Sequence, residues 1–560
     1  MVLPLRLLAT ALLPLVLAAQ QGDPAATAPE EPARLLVLVV VDQLIPAELE
    51  RLEPWLTGGL HRFAAEGEVW RAGAHGHGVT ETGPGHATLG TGVHPRRHGI
   101  VANEWPNAET RGTTYCAADA SVRILTSAGP GEGGGRSPAH LAAPGFADHL
   151  KALVPAARCV GVSGKDRAAI FATGRSADWA LWWDPQGSGF ASSTHYGGEL
   201  PRWVREWNAA WSERLAREGA TGLRWESELP ADIARAGTTP DADEGESGLR
   251  GRTEFPYEPP PLSAPPTTRE IESLAAGYVF FTPFVDAFTV EMAERAVAEM
   301  ELGADADPDF LLVSLSACDS AGHLFGPGSA EVTDLLLRAD RALGELFRLL
   351  DERIGAGRWA AALSADHGVL ELPERLLARG IPARRTAGTA HGLALRAMRE
   401  SLAARFGADF YVSGLAGVRL ATEQAEAAGI APADLRRAAA DAYAASAGAE
   451  VARVFTLDEL LAAPAELAAD PLLVLMSRSA FAGRSPDIAA VPPWGVLALA
   501  RGTSHGTPWE YDRRVPIAFL GRGTTKGERF EPCFTVDVLP TLFHRAGLPV
   551  PDGLDGRVLE

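Results

Sequence analysis

Asp42 closes the run LLVLVVVD, Asp319 and His323 stand four apart in DSAGH, Asp366 and His367 are neighbours in SADHG, and His505 lies in the small-residue stretch GTSHGTP. Carboxylates and imidazoles without thiolates suit zinc and serve other divalent ions, and six such groups suffice for two ions. The stretch TETGPGHATLGTG, Thr80 to Gly92, adds a hydroxyl. Pro84 fits the first turn of a helix, which sets Thr82 just before an N-terminus where free N–H groups and the helix dipole favour an anion. A threonine hydroxyl is inert until a metal or base lowers its pKa, so Thr82 beside a metal pair is a candidate nucleophile. Taken singly, each piece has an ordinary explanation, Thr82 as a cap and the Asp–His pairs as polar contacts. His75, His77, His94 and His98 read as loop or packing residues, and His86 as a support for the turn.

Residues so far apart need a scaffold that gathers them. LLVLVVVDQL, DFLLVSLSACDSAGH and WAAALSADHGV are apolar runs ending in an acid, the pattern of fully buried parallel strands. In open α/β sheets ligands bind beyond the carboxyl ends of the strands, so three acids at such ends predict one shared site. TVEMAERAVAEMEL and AEVTDLLLRADRALGELFRLLDERI carry apolar residues at three- and four-residue spacing, which predicts helices between the strands. The predicted fold is α/β, a mostly parallel central sheet with helices on both faces, over residues 33–560. Two regions break the alternation: 176–268, rich in Trp, Pro and acids, and 370–500, rich in Ala and Arg. Both read as cap-like insertions able to roof a site.

With 46% hydrophobic and 22% charged residues in 560, the chain can bury a large core, and its net charge of −20 argues against nucleic acid or an anionic membrane as partner. An anionic substrate would need local cations, because the overall field repels it. Arg6 followed by an apolar run from Leu7 to Ala19 matches a cleaved secretory signal over residues 1–20, and its length is short for a membrane anchor. Cys116, Cys159, Cys318 and Cys533 are dispersed and contain no C-x-x-C pair, so cysteine-ligated zinc is not expected, and the three possible full pairings stay open.

The ordered set of Asp42, T-x-x-P-G-H, D-x-x-x-H, D-H-G and a late H-G resembles the alkaline phosphatase superfamily. It is most similar to the branch with a threonine nucleophile, shared by phosphate-irrepressible alkaline phosphatases and nucleotide pyrophosphatase/phosphodiesterases. The resemblance implies an alkaline-phosphatase-like fold and two zinc ions. Asp42, Asp366 and His367 would hold one, shared with the Thr82 oxygen; Asp319, His323 and His505 would hold the other. It also implies a covalent phosphothreonine at Thr82, with the first ion activating the hydroxyl and the second stabilising the oxygen on the opposite side.

HGIVANEW supplies Asn103, and CVGVSGKDRAAIFATG supplies Lys165 and Arg167. At both places the chain resembles the alkaline phosphatases, where these residues would contact the non-bridging phosphoryl oxygens. The chemistry agrees: a monoester dianion presents three terminal oxygens, which two cations and an amide can stabilise in the transition state. DWALWWDP through LPRWVREWN resembles a segment of the same branch, its aromatics either shaping a lid or sitting in the core. The expectation is an exported phosphomonoesterase, periplasmic or secreted, acting on small phosphate esters, with no stable membrane association after signal cleavage. A phosphodiesterase on the same core is the first alternative, and a non-catalytic metal- or phosphate-binding protein the second.

Overall fold

The computed structural model describes residues 31–560 apart from 108, 187–188, 387, 415 and 463–468; the expected signal over 1–20 lies outside the described residues. Strand β1, Leu35–Val41, is buried along its whole length. It pairs on both edges, Leu35 lying opposite Asp309 on one side and Trp359 on the other. A strand paired on both edges and covered on both faces has no solvent side, which is why its sequence is a continuous apolar run rather than an alternation.

The other strands of this sheet are β2 (Glu68–Trp70), β3 (Ile124–Thr126), β4 (Gly129–Pro130), β5 (Cys159–Ser163), β6 (Trp179–Asp184), β7 (Gly189–Ser193), β8 (Asp309–Leu315), β9 (Trp359–Ser364), β10 (Ile517–Gly521) and β11 (Gly527–Arg529). Their spatial order is β11-β2-β10-β9-β1-β8-β5-β6-β7-β3-β4. The centre, β9-β1-β8-β5-β6, is parallel, whereas β10 and β7 join it antiparallel. Alternate residues of β1 enter two separate cores. Leu35, Val37, Val39 and Val41 pack with residues such as Val290 and Leu343, while Leu36, Leu38 and Val40 pack with Phe146 and Phe543. Helices therefore cover both faces, as expected.

The expectation for residues 176–268 needs correction. Trp179–Asp184 and Gly189–Ser193 are strands β6 and β7 of the central sheet, not part of a roof. Trp183 packs against Trp211 and Phe288, each at 5.6 Å between ring centroids, and Trp203, Trp207 and Trp211 are buried in the same core. These aromatics are core rather than lid. Their large apolar surface seats a long helix, Arg202–Glu218, against β7.

The segment TGPGHATLGT forms helix α1, Thr82–Thr91, every residue of it buried. Helix α2, Asp166–Thr173, follows β5 and packs against it. Gly85 explains the Pro-Gly step: a Cβ there would lie 2.0 Å from the Asp366 carbonyl oxygen, so only glycine lets α1 press onto the Asp366 loop. Gly85→Ala should destabilise the protein by about 1–3 kcal/mol, the usual cost of overpacking, read as a lower midpoint in denaturant melts. All four cysteines are free and buried. Among the described residues no single helix is long and apolar enough to cross a membrane.

Candidate active site

The parallel register of β9, β1 and β8 sets three carboxylates along one edge. Asp42 directly follows β1, Asp366 comes two residues after β9, and Asp319 sits in the first turn of helix α3, Ala317–Phe325, which leads from β8. All three are buried. Gln43, at a left-handed φ of 68°, ties two of them together: its backbone N–H donates to Asp366 Oδ1 at 3.2 Å and its side-chain amide to Asp319 Oδ1 at 2.7 Å. Gly322 makes room for this amide, since a Cβ there would meet Gln43 Oε1 at 1.9 Å.

His323, His367 and His505 all reach the same cluster. Their Nδ1 atoms donate to the carbonyls of Thr503, Gly368 and Thr80, at 2.8, 3.0 and 2.7 Å. A carbonyl only accepts, so each Nδ1 carries the hydrogen. Burial holds His367 and His505 below the usual imidazole range, so both rings are neutral and each Nε2 is a bare lone pair. Those lone pairs face carboxylate oxygens: His367 Nε2 lies 3.4 Å from Asp42 Oδ1 and 3.5 Å from Asp366 Oδ2, and His505 Nε2 lies 3.5 Å from Asp319 Oδ1. His323 Nε2 is 3.2 Å from Asp319 Oδ1; burial works against its charge, but Asp319 outweighs it and raises the ring's pKa.

Acceptor facing acceptor in a dry site calls for a cation between them. Asp42 Oδ1, Asp366 Oδ2 and His367 Nε2 are buried without a hydrogen-bond partner. Two groups have the spacing to hold an ion, Asp42 with Asp366 and His367, and Asp319 with His367 and His505. The first is the set expected from sequence. The second differs in one member, because His367 stands between the two groups and stacks on His505 at 3.5 Å, while His323 touches Asp319 from the outer side. The Lys165 ammonium stands in for a cation here, donating to Asp42 Oδ2 at 2.5 Å and to Asp319 Oδ2 at 2.6 Å. The donor set, three carboxylates and three imidazoles whose rings are oriented by backbone carbonyls, fits a pair of divalent ions.

Thr82 is the first residue of α1 rather than its cap, Glu81 taking that place. Arg167 Nη2 lies 3.4 Å from Thr82 Oγ1. Asn103 holds the start of the helix from beside it: its Oδ1 accepts from the Gly83 N–H at 2.8 Å, which leaves Nδ2 as the donor end, and its own N–H donates to Glu81 at 2.6 Å. The Arg167 guanidinium thus stands beside the Thr82 hydroxyl, and Asn103 braces the turn that carries it, so a cation and an amide flank the start of α1.

Sequence reasoning missed the residues behind these. Tyr115 OH donates to Asp166 Oδ1 at 2.5 Å, Arg136 Nε donates to Asp166 Oδ2 at 2.9 Å, and the Arg136 guanidinium lies over the Tyr115 ring at 4.9 Å. Arg167 Nη1 contacts the Tyr115 hydroxyl at 3.5 Å. Asp166, between Lys165 and Arg167 in the chain, is the anchor of this frame. His86 Nδ1 lies 3.0 Å from the Thr82 carbonyl and 3.2 Å from Asp366 Oδ2. Its single hydrogen goes to the carbonyl, so it supports the turn and leaves the carboxylate oxygen unpaired. His75 is buried, its Nε2 donating to the carbonyl of Ala365 beside the Asp366 loop at 3.1 Å.

Comparison with known proteins bears on this geometry. The model of the type I phosphodiesterase/nucleotide pyrophosphatase family matches residues 36–512. The chain belongs to that family. The resemblance read from the motifs, to the alkaline phosphatase superfamily, therefore holds. Alkaline phosphatase PhoK of Sphingomonas sp is 32% identical, over 94% of this chain and 91% of PhoK. Alkaline phosphatase PafA of Elizabethkingia meningoseptica is 29% identical, over 94% of this chain and 93% of PafA. The crystal structure of wild-type PafA superposes with a TM-score of 0.80 at 27% identity, covering 94% of this chain and 98% of that one. A mutant crystal structure of PafA (TM-score 0.81, 27% identity, 94% and 98% covered) replaces a threonine, an asparagine, a lysine and an arginine. Those four stand in the same order and at the same intervals along the chain as Thr82, Asn103, Lys165 and Arg167.

Proposed function

We propose that this protein is an exported, zinc-dependent phosphomonoesterase that hydrolyses phosphate monoesters through a phosphothreonine at Thr82. The observation that carries the reading is the Arg167 guanidinium beside the Thr82 hydroxyl, with Asn103 bracing the same turn, next to paired carboxylate–imidazole groups. The names of PhoK and PafA, both alkaline phosphatases, support it.

Asp42, Asp366, His367, Asp319, His323 and His505 would hold two zinc ions. Bound there, such ions lower the pKa of the attacking hydroxyl and neutralise charge on the attacking and leaving oxygens. Thr82 supplies the oxygen that attacks phosphorus, and the ester oxygen leaves on the side opposite to it, in line. Arg167 and Asn103 donate to the non-bridging oxygens, whose charge is greatest in a monoester. Lys165 is a positive charge tethered between Asp42 and Asp319, at the boundary of both ion groups. Water then attacks the phosphothreonine from the face the leaving group vacated, so the two displacements give net retention at phosphorus.

The phosphodiesterase reading has the family's name in its favour. A diester has one charge fewer and a second substituent, so Arg167 and Lys165 would have less to stabilise. The test is kcat/KM for matched aryl phosphate monoester and diester substrates on zinc-loaded protein, where a large monoester preference is expected and a diester preference would reverse the assignment. Lys165→Ala and Arg167→Ala should each cost the monoester about 10²–10³-fold, the usual loss on removing one transition-state donor, and the diester about tenfold at most. Equal losses would make both residues structural.

A further inference from the structure

A cavity of about 500 Å³ opens at His505. His505 lines it together with Ser504 and Thr507, and residues of helices Thr389–Phe406 and Pro432–Ala447, of strands Ile488–Val491 and Val496–Leu497 and of the loops between them complete the lining. Its walls are aliphatic, with Val418, Val451, Ile488, Leu497 and Leu499 facing it. Several of its polar groups are paired, while Glu450 Oε2 has no hydrogen-bond partner. Tyr443 OH and His391 Nδ1 lie 2.5 Å apart, and Glu450 pairs with Arg384 at 2.8 Å. No lysine or arginine occurs among the described lining residues.

We propose that this cavity binds the organic part of the substrate, so that the preferred esters are monophosphates of apolar alcohols or phenols. The proposal rests on the phosphomonoesterase reading, in which the leaving oxygen departs on the side away from Thr82, towards the Asp319 and His505 group. A cavity that starts at His505 then receives whatever that oxygen carries. An aliphatic wall without a free cation rewards alkyl and aryl bodies and offers nothing to a second phosphate, which excludes nucleoside polyphosphates and sugar bisphosphates as preferred substrates. The volume lies in the range of small-molecule sites, about 300–1,000 Å³.

The test compares phenyl phosphate with 4-hexylphenyl phosphate, whose phenols have nearly the same acidity, on the full zinc-loaded protein. Each methylene taken from water contributes about fourfold to affinity. With part of the chain buried, kcat/KM for the hexyl ester should exceed that for phenyl phosphate by at least about tenfold, chiefly through KM. Leu499→Asp, at a position 41% exposed, and Ala490→Trp, which fills the cavity from an exposed strand position, should bring the ratio of the two esters close to unity. Equal constants in the wild type, or a preference that neither substitution reduces, would overturn the cavity assignment while leaving the phosphomonoesterase reading intact. Turnover of neither ester would overturn both.

Discussion

Thr82→Ala should lower kcat for phosphate monoesters by at least about 10⁴-fold, the scale on which removal of a covalent nucleophile acts, while bound metal, measured by elemental analysis, stays near the wild-type amount. The asymmetry follows from the geometry. Thr82 Oγ1 has one neighbour of note, the Arg167 guanidinium at 3.4 Å, whereas the carboxylate and imidazole groups are held by Gln43, by backbone carbonyls and by one another. The backbone of α1 is fixed independently of the hydroxyl, through the Gly83 N–H to Asn103 and the Thr82 carbonyl to His86. Alanine therefore removes the attacking oxygen without loosening the turn. Thr82→Ser, which restores a hydroxyl on the same frame, should recover turnover in part. An alanine variant that still hydrolysed monoesters at the wild-type rate would show that water, not Thr82, attacks phosphorus first.

What the sequence reveals and what it hides divides along physical lines. β1, β8 and β9 were legible because a strand buried on both faces must be apolar throughout, and the acid that ends each run marks the point where the chain leaves the sheet. Their adjacency follows from the rule that ligands gather at the carboxyl edge. β6 was not legible as a strand, although WALWW is just as apolar, because its tryptophans fill a core beside α-helical partners and the neighbouring Pro and acidic residues suggested a loop region. The ligand types were readable from D-x-x-x-H and D-H-G, but the sharing of His367 between two groups was not, since it depends on how the ring stacks on His505, 138 positions of chain away in a different loop. Tyr115, Arg136 and Asp166 form a frame around Arg167 through side-chain contacts between three separate segments, and no spacing rule connects them.

Chelation should abolish monoester turnover, by at least about 10³-fold, and zinc should restore it. The same treatment should also lower the thermal midpoint, because the cluster is poorly balanced without added charge. Burial and the charge of Asp366 push the Asp42 carboxyl well above the usual range, while Asp366 itself keeps one oxygen unpaired opposite the bare Nε2 of His367. Asp319, also buried, is kept low by Lys165 and His323. One ammonium thus serves two carboxylates in a site that gathers three, and the shortfall is what the ions make good. An ion present at a thousand times its dissociation constant stabilises the native state by roughly 4 kcal/mol, so its removal is visible in a melting curve without any activity assay. Asp366→Asn keeps the shape of the side chain and removes one of the charges that call for a cation. It should therefore reduce the bound metal per chain and weaken the stabilisation gained on adding zinc, while Thr82→Ala leaves both in place. A protein that kept full activity in excess chelator, and melted at the same temperature with and without zinc, would have its carboxylates and imidazoles satisfied by Lys165 and His323 alone, and the cluster would then be a structural ion network rather than a metal centre.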